Sequence, residues 1–454
     1  GYVVFASSLL QLTPVPLVSP DLLVSVFVYL ALGLALKLHR EPGRRAPALL
    51  LGAVLGGGFL AKAAMLPLAL VIIASVALST RGSGPSGAAR SAAAPLLGLA
   101  AVSGLLILAF VLTGQGVTLG ESGALNYAYH INGLPYVHWQ GEPSGYGRPV
   151  HPTREILNEP PVYEFAAPIG GTYAPWVDPA YWYEGLRPRF DAGGHLANLI
   201  RSARVVAGVL LRSGQILLPA GVLVLAAFGA RPGWRAVDLR PYAALLLPLL
   251  AAVAVYATVW LERRFVAPFL APSWLGLLAS IRLPREAALE RAALRAVTIA
   301  LVFITAIAVY GAYAMTKDLG LRHAADQHLA VARHLEAIGV REGDHVALIN
   351  DWPGGSDAYW ARLARVRIIA EMPACRTRAG HHCLEGPPGG VQAFVRAAPA
   401  LRVRILAVLA GSGAEAVVMR NELSAPLPGW RRIPGTTYDV YLPGREEASS
   451  HGRP

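Results

Sequence analysis

The chain has 454 residues, of which 54% are hydrophobic and 15% are charged, and its net charge is +12. Soluble domains average about 25% charged residues, so this composition excludes a disordered chain and argues against an ordinary soluble protein. A membrane protein is the first hypothesis. The placement of the basic residues along the chain must decide whether they bind a nucleic acid instead.

The first segment, GYVVFASSLLQL, starts at Gly1 without an initiator methionine. It lacks the basic start and the small-residue cleavage site of a signal peptide, and it is typical of the end of an interrupted transmembrane helix. We therefore expect a fragment whose true N-terminus lies upstream of Gly1.

Apolar stretches of roughly 20 residues cross a bilayer as helices, because backbone polar groups in lipid must be bonded within the segment. Such stretches follow one another along the chain at residues 2–13, 21–38, 47–61, 63–80, 92–113, 207–230, 241–260, 265–281 and 296–315. The sequence thus predicts a mostly α protein, a polytopic bundle with about nine transmembrane spans.

Arginine and lysine gather in four of the connecting loops, at residues 37–45, 81–90, 231–240 and 282–295. The positive-inside rule makes these loops cytoplasmic and places the alternate connections on the other side. We expect an inner (plasma) membrane protein with a body over residues 1–317, which includes an outer aromatic loop at 114–204, and an extracytoplasmic domain over 318–454. Orientation accounts for much of the positive charge, and no basic stripe interleaved with aromatics indicates a nucleic-acid partner.

Two groups of charges run against this orientation signal. Lys62 lies between two apolar helices at their outer end, and Glu262, Arg263 and Arg264 lie in another outer turn. Charges in or near a membrane are costly, so they mark candidate functional sites. The alternatives are snorkelling to headgroup phosphates for Lys62, and a Glu262–Arg263 pair that caps the turn.

The outer loop is rich in aromatic residues, glycine and proline, with polar side chains among the aromatics. Flat aromatic faces beside carboxylates and amides suit a sugar ring, and the sequence HWQGE concentrates these groups. We predict that His138, Trp139, Gln140 and Glu142 bind the sugar or the acceptor. An interfacial aromatic belt is the alternative, and it suits the stretch WVDPAYWY at 176–183.

The stretch GGHLANLIRSARVVAGVLL, which follows the aromatic loop, alternates polar and apolar residues at helical spacing. This pattern predicts an amphipathic helix that lies on the membrane surface before the next span.

After Lys317 the pattern changes to alternating helices and strands, typical of a small parallel α/β sheet. Strands are predicted at HVALIN, VRIIAEM and AEAVVM, helices between them, and a hairpin from WRRIP to YDVYLP. The loop NDWPGGSD follows the first of these strands, a common ligand position, but it lacks the glycine pattern and the lysine of nucleotide loops.

The two cysteines, Cys375 and Cys383, both lie in this tail, in CRTRAGHHC. An oxidising compartment would allow a disulfide between them, and free thiols are the alternative. His381 and His382 raise the question of a metal, but the spacing matches no common zinc pattern, so we predict no metal site here.

Three motifs follow one another in a familiar order: VSPDLL at the head of a span, GGGFLAKAAMLPLAL as a hairpin with a lysine at its turn, and LERRFVAPFLAP at a later turn. Over most of residues 1–315 this order resembles the polytopic GT-C glycosyltransferases, and within them the family 39 type, which includes protein O-mannosyltransferases and bacterial aminoarabinose transferases.

The resemblance implies a polyprenyl-phosphate-linked sugar as donor and a saccharide, lipid or protein acceptor outside the cytoplasm. The family's principal catalytic carboxylate lies in a first outer loop, which would fall upstream of Gly1. Asp21 matches an acidic residue near the active-site cavity and is a candidate catalytic residue. Lys62, Arg263 and Arg264 match the cations expected to bind the donor phosphate. No cofactor is implied with certainty, and a divalent metal stays open.

The sequence therefore predicts an integral-membrane glycosyltransferase in which fixed cations stabilise the departing phosphate. One alternative is a transporter or flippase of lipid-linked or small solutes, which would favour inverted repeats and midplane charges that the sequence lacks. Another is a structural or sensor module whose outer α/β domain binds a partner.

Overall fold

The computed structural model of the protein describes residues 5–6, 8, 12, 19–79, 85–114, 116–141, 144–212, 221, 238–239, 242–281, 287–321, 324–350, 358–373, 390–421 and 426–444. The chain divides into two compact units, and each is built from two separate segments. The helical unit comprises Gly1–Gly123 with His195–Leu321, and the α/β unit comprises Ala124–Gly194 with Arg322–Pro454.

The helical unit contains long helices rich in leucine, alanine and valine, residues that lose little on entering a helix in an apolar environment. They are α1 (Asp21–Arg40), α2 (Arg45–Ala61), α3 (Met65–Ser79), α4 (Pro85–Leu112), α7 (Ala192–Arg212), α8 (Ala243–Val259), α9 (Arg263–Ser280) and α10 (Ala287–Leu321). Their shared core includes Val28, Leu51, Leu55, Ile72 and Phe269, all almost fully buried.

Helices α2 and α4 pack closely because glycines lie at their contact. A Cβ on Gly52 would meet the carbonyl oxygen of Pro95 at 1.9 Å, and one on Gly98 would meet that of Leu49 at 2.3 Å. Small residues at such a contact let two helix backbones approach closely. Helices in lipid associate in this way, because burying apolar side chains against each other gives no driving force there.

Among the described residues, three helices are long and apolar enough to cross a membrane: Asp21–Arg40, Ser91–Leu112 and Glu290–Ala314. Shorter apolar helices occur at Arg45–Ala61, Met65–Leu78 and Ala243–Val259. A mostly helical chain compatible with a membrane is therefore confirmed. The predicted spans at 2–13 and 207–230 lie mostly outside the described residues.

The α/β unit is built on one seven-stranded sheet of order β1-β2-β4-β3-β5-β7-β6. The strands are β1 (Arg154–Leu157), β2 (Val162–Glu164), β3 (His345–Ile349), β4 (Arg367–Met372), β5 (Ala416–Arg420), β6 (Arg431–Arg432) and β7 (Tyr438–Tyr441). The three central strands are parallel, and antiparallel pairs flank them on both sides. Helices α5 (Ser122–His130), α6 (Pro179–Trp182), α11 (Ala324–Ala337), α12 (Tyr359–Leu363), α13 (Gly390–Arg396) and α14 (Pro399–Gly411) complete the described part of the chain.

The strands and the hairpin predicted for the tail are confirmed, while the single helix predicted over residues 394–411 forms as two helices, α13 and α14. The division of the chain also differs from the predicted one. The outer segment contributes β1 and β2, and β2 pairs with β4 through Tyr163 opposite Glu371 and Glu164 opposite Ala370. Residues 124–194 therefore belong with the tail and not with a membrane body over 1–317. Backbone hydrogen bonds between strands separated by about 200 residues cause this difference.

The aromatic side chains of the outer segment serve mainly as core. Trp139, Phe165, Tyr173, Trp182 and Tyr183 are each less than 9% exposed and form one cluster with buried residues of the tail. Large aromatic rings supply much of the buried area that a small sheet needs. The structure therefore gives the 176–183 stretch a packing role within the α/β unit.

Candidate functional site

Three charged residues that are distant in sequence meet in the helical unit. The Nζ atom of Lys62 lies 2.7 Å from Oδ1 of Asp21. Nε of Arg264 lies 3.2 Å from Oδ2 of the same carboxylate and 2.8 Å from Oε2 of Glu262. We call Asp21, Lys62, Glu262 and Arg264 the ion cluster.

Each member occupies the end of a helix. Asp21 is the first residue of α1, where the positive end of the helix dipole favours a carboxylate, and Ser19 Oγ donates to it at 2.9 Å. Lys62 follows the last residue of α2, and its backbone N–H donates to Gly58. Arg264 lies in the first turn of α9, next to Glu262, the residue that precedes that helix. Helix ends thus bring the four side chains together.

The cluster is only partly open to its surroundings. The Asp21 side chain is 3% exposed, whereas Lys62 and Arg264 are 20% and 23% exposed. The Lys62 ammonium lies 3.4 Å from the centre of the Phe265 ring, a cation–π contact. Burial lowers the pKa of Lys62, and the Asp21 carboxylate opposes that shift.

A second set of contacts extends the cluster to α7. The Trp260 indole N–H donates to Glu262 at 2.9 Å, and the Arg201 guanidinium lies 3.1 Å from the centre of the Trp260 ring. Arg201 also donates to the Leu261 carbonyl at 3.1 Å. Through Trp260 and Glu262, Arg201 is connected to Arg264.

The polar face of α7 is held against the end of α8. His195, Asn198 and Arg201 recur every three residues and donate to the carbonyls of Thr258, Ala257 and Leu261. Carbonyls at a helix C-terminus lack partners within their own helix, so these donors satisfy them.

The opposite face of α7 is apolar and exposed. Leu196 is 61% exposed, while Asn198 and Ser202 are 4% and 1% exposed. A helix in water would have the reverse arrangement. The predicted amphipathic helix is confirmed, and its place on a membrane surface stays a prediction.

The predicted site residues fall into separate places. Asp21, Lys62 and Arg264 come together, but Arg263 is exposed and forms no ion pair with any described residue. Glu262 pairs with Arg264, and not with Arg263 as a capping pair would require.

The predicted sugar-binding residues belong to the α/β unit. His138 and Trp139 are 7% and 3% exposed, and Trp139 stacks on Tyr183. Gln140 is exposed and donates to Thr153, and Glu142 lies outside the described residues.

Sequence reasoning missed Arg201 and Trp260. The signal was present in α7, where a histidine, an asparagine and an arginine recur every three residues on an apolar helix. That face indicates buried polar contacts, although not which carbonyls they reach.

Within the described ranges, no three histidine, cysteine, aspartate or glutamate side chains are grouped so as to hold a metal ion. Cys375, Cys383 and the histidines between them lie outside those ranges, as do the residues from Asp351 to Asp357 in the predicted ligand loop.

Comparison with protein-family models, with curated proteins and with solved structures gives no match for this chain.

Proposed function

We propose that the chain is an integral-membrane glycosyltransferase that moves a sugar from a polyprenyl phosphate to an extracytoplasmic acceptor. The observation that supports the proposal is the meeting of Lys62 and Arg264 on the buried carboxylate of Asp21. A buried cluster of ions in an apolar helical unit is costly, which makes it a candidate functional site.

The charge balance of the cluster suits an anionic ligand. Within the ion cluster Lys62 and Arg264 balance the carboxylates of Asp21 and Glu262, and Arg201, stacked on Trp260, adds a positive charge beside them. The excess of positive charge among these residues could accept a phosphate without an added counterion.

Asp21 is better suited to hold cations than to act as a base. Its oxygens are approached by Lys62, Arg264 and the Ser19 hydroxyl, so the lone pairs that would take a proton are engaged. In this proposal Asp21 positions Lys62 and Arg264, and the general base is another group.

The two cations would act on the leaving group. As the bond from the sugar to the phosphate oxygen breaks, negative charge gathers on that oxygen, and cations already in place stabilise it without reorganising. Lysine offers a point charge and arginine a planar fork of donors, so the pair can contact different phosphate oxygens.

Binding of a polyprenyl phosphate to the protein in nanodiscs tests the role of the cluster. We expect Lys62→Gln and Arg264→Gln each to weaken binding about tenfold or more, because each removes a charge-assisted contact. The matched control is Arg44→Gln, a 63% exposed arginine paired with Glu41 on another helix end. If the unmodified protein and all three variants bind polyprenyl phosphate with equal affinity, the ion cluster is not part of the donor site.

A further inference from the structure

The α/β unit contains a second polar cluster, which is independent of the ion cluster and of the proposed transfer reaction. Nδ1 of His138 lies 3.2 Å from the Thr153 hydroxyl, and Nε2 of the same ring is bonded to the Glu371 carboxylate. We propose that Thr153, His138 and Glu371 form an acyl-transfer site that hydrolyses small carboxylic esters.

The order of these groups is that of a nucleophile, a base and a group that orients the base. An ionised carboxylate only accepts hydrogen bonds, so Nε2 of His138 carries the proton that bonds Glu371. In the neutral imidazole Nδ1 is then the bare nitrogen, and it faces the Thr153 hydroxyl. This tautomer is the one that can take a proton from Thr153.

Glu371 is fixed by several donors. The Tyr173 hydroxyl and the Asn350 amide, the latter at 3.4 Å, both donate to its second oxygen. The Glu371 side chain is 1% exposed, and burying such a group costs more than an apolar residue in the same place. A network of this kind holds the imidazole in one orientation.

The backbone at His138 is also unusual. Its φ is +55°, a conformation that residues other than glycine rarely adopt. The ring stacks on Tyr163 with 4.0 Å between centres and 14° between planes. Strained residues held by surrounding contacts cluster at functional sites, and here the strain places the imidazole between Thr153 and Glu371.

His138 and Thr153 line a pocket that encloses about 20 Å³ and is otherwise open to solvent. Its remaining walls are mostly aromatic and come from Val137, Trp139, His151, Phe165, Tyr173, Pro175, Trp182 and Tyr183. Burial raises the pKa of Tyr183, so its hydroxyl stays protonated and donates to the Tyr136 carbonyl. The aromatic walls and the reactive corner suit the acyl group of a small ester, most of which would lie in the open part of the pocket.

Gln140 supplies a donor beside the nucleophile. Its amide nitrogen lies 2.6 Å from Thr153 Oγ1 and also donates to the Thr153 carbonyl at 2.7 Å. These contacts use both N–H groups of the amide, so Gln140 positions the Thr153 hydroxyl and leaves the hydroxyl proton for His138.

The reaction balances without a further reactant except water. Thr153 Oγ1 bonds to the ester carbonyl carbon while its proton passes to Nδ1 of His138, and the C–O bond to the alcohol breaks as that proton moves to the departing oxygen. Water then repeats the sequence on the acyl-threonine, which releases the carboxylic acid and restores the hydroxyl.

The test uses the whole protein in detergent micelles with p-nitrophenyl butyrate and a small fluorophosphonate. We expect ester hydrolysis and covalent labelling of Thr153, located by mass spectrometry. Thr153→Val keeps the side-chain shape and should lower kcat/KM by about a thousandfold. Thr153→Ser keeps the hydroxyl and should retain labelling.

The control variant is His345→Gln, because His345 is exposed at the start of β3 and does not line the pocket. Its hydrolysis rate should stay within about threefold of the unmodified protein, since surface histidines alone give weak ester cleavage. Absence of labelling in the folded, unmodified protein, or hydrolysis unchanged in folded Thr153→Val, overturns the proposal.

Discussion

Asp21 is the residue on which the ion cluster depends, because Lys62 and Arg264 both approach its carboxylate. The rarity of charges in long apolar stretches was sufficient to single out Lys62 and the arginine pair, and the family resemblance added Asp21. It was not sufficient to separate Arg263 from Arg264. Neighbouring residues on a helix point about 100° apart, and the choice depends on how α9 is rotated against α1.

Replacing Asp21 with asparagine should destabilise the helical unit. The change keeps the shape but leaves Lys62 and Arg264 without their shared carboxylate. We expect a loss of about 2 kcal/mol, below the 3 to 5 kcal/mol of a wholly buried pair because both cations are partly exposed. Thermal unfolding in detergent measures the loss.

The control for Asp21→Asn is Glu41→Gln, which breaks an exposed pair with Arg44 at 3.1 Å. A surface pair of this kind contributes at most about 1 kcal/mol. Equal melting temperatures for the two variants would contradict the central place of Asp21 in the cluster.

Binding of the donor phosphate should weaken at alkaline pH because of Lys62. Burial lowers the pKa of Lys62, while Asp21 and Glu262 raise it and Arg264 lowers it further. The ammonium is therefore lost at a lower pH than in free lysine, and its attraction for phosphate is lost as pH rises through that pKa.

Lys62→Arg tests this pH dependence, because arginine keeps its charge over the whole accessible range. Affinity for a polyprenyl phosphate, measured by calorimetry from neutral to alkaline pH, should fall in the unmodified protein and stay level in the variant. Parallel pH profiles would assign the alkaline loss to another group.

At the scale of single elements, α7 is the least expected, because its polar face packs inward and its apolar face is exposed. Its helical pattern is visible in the sequence, and the helix forms as predicted. Which face packs inward was not predictable, because the carbonyls that Asn198 and Arg201 reach lie about 60 residues further along the chain.

Asn198→Leu tests the inward polar face of α7. Leucine fills a similar volume but leaves the Ala257 carbonyl without its 2.8 Å donor. An unsatisfied buried group costs about 1 to 3 kcal/mol, so the unfolding temperature should fall. Leu199→Met, on the 46% exposed apolar face, is the control and should be nearly neutral. A neutral Asn198→Leu would mean that the polar face does not hold α7 to α8.

At the scale of the whole molecule, each compact unit is assembled from two segments of the chain. The three central tail strands, β3, β4 and β5, were predictable because each is a mainly apolar run of five or six residues between turns. Strands β1 and β2 have only four and three residues, and the pairing of β2 with β4 spans about 200 positions. Short strands with distant partners leave little signal in sequence.

The tail should not fold by itself. Without residues 124–194, the edge of β4 and the apolar surface under the aromatic cluster would be open to water. We expect residues 318–454 to aggregate or to lack cooperative unfolding by circular dichroism. Joining residues 124–194 to them through a flexible linker should restore both solubility and cooperativity. A tail that unfolds cooperatively alone would contradict the two-segment unit. It would instead support the alternative of a sensor module whose outer domain folds by itself.

The central proposal is sugar transfer from a polyprenyl phosphate, and the most direct measurement follows both products in one experiment. The protein is reconstituted in liposomes with polyprenyl-phosphate sugars carrying a label on the sugar and another on the lipid. We predict that sugar appears on acceptors or in water in amounts equal to the polyprenyl phosphate released, and that Arg264→Gln slows both. Movement of the intact lipid-linked sugar across the bilayer, with no polyprenyl phosphate released, would contradict the transferase and establish a flippase.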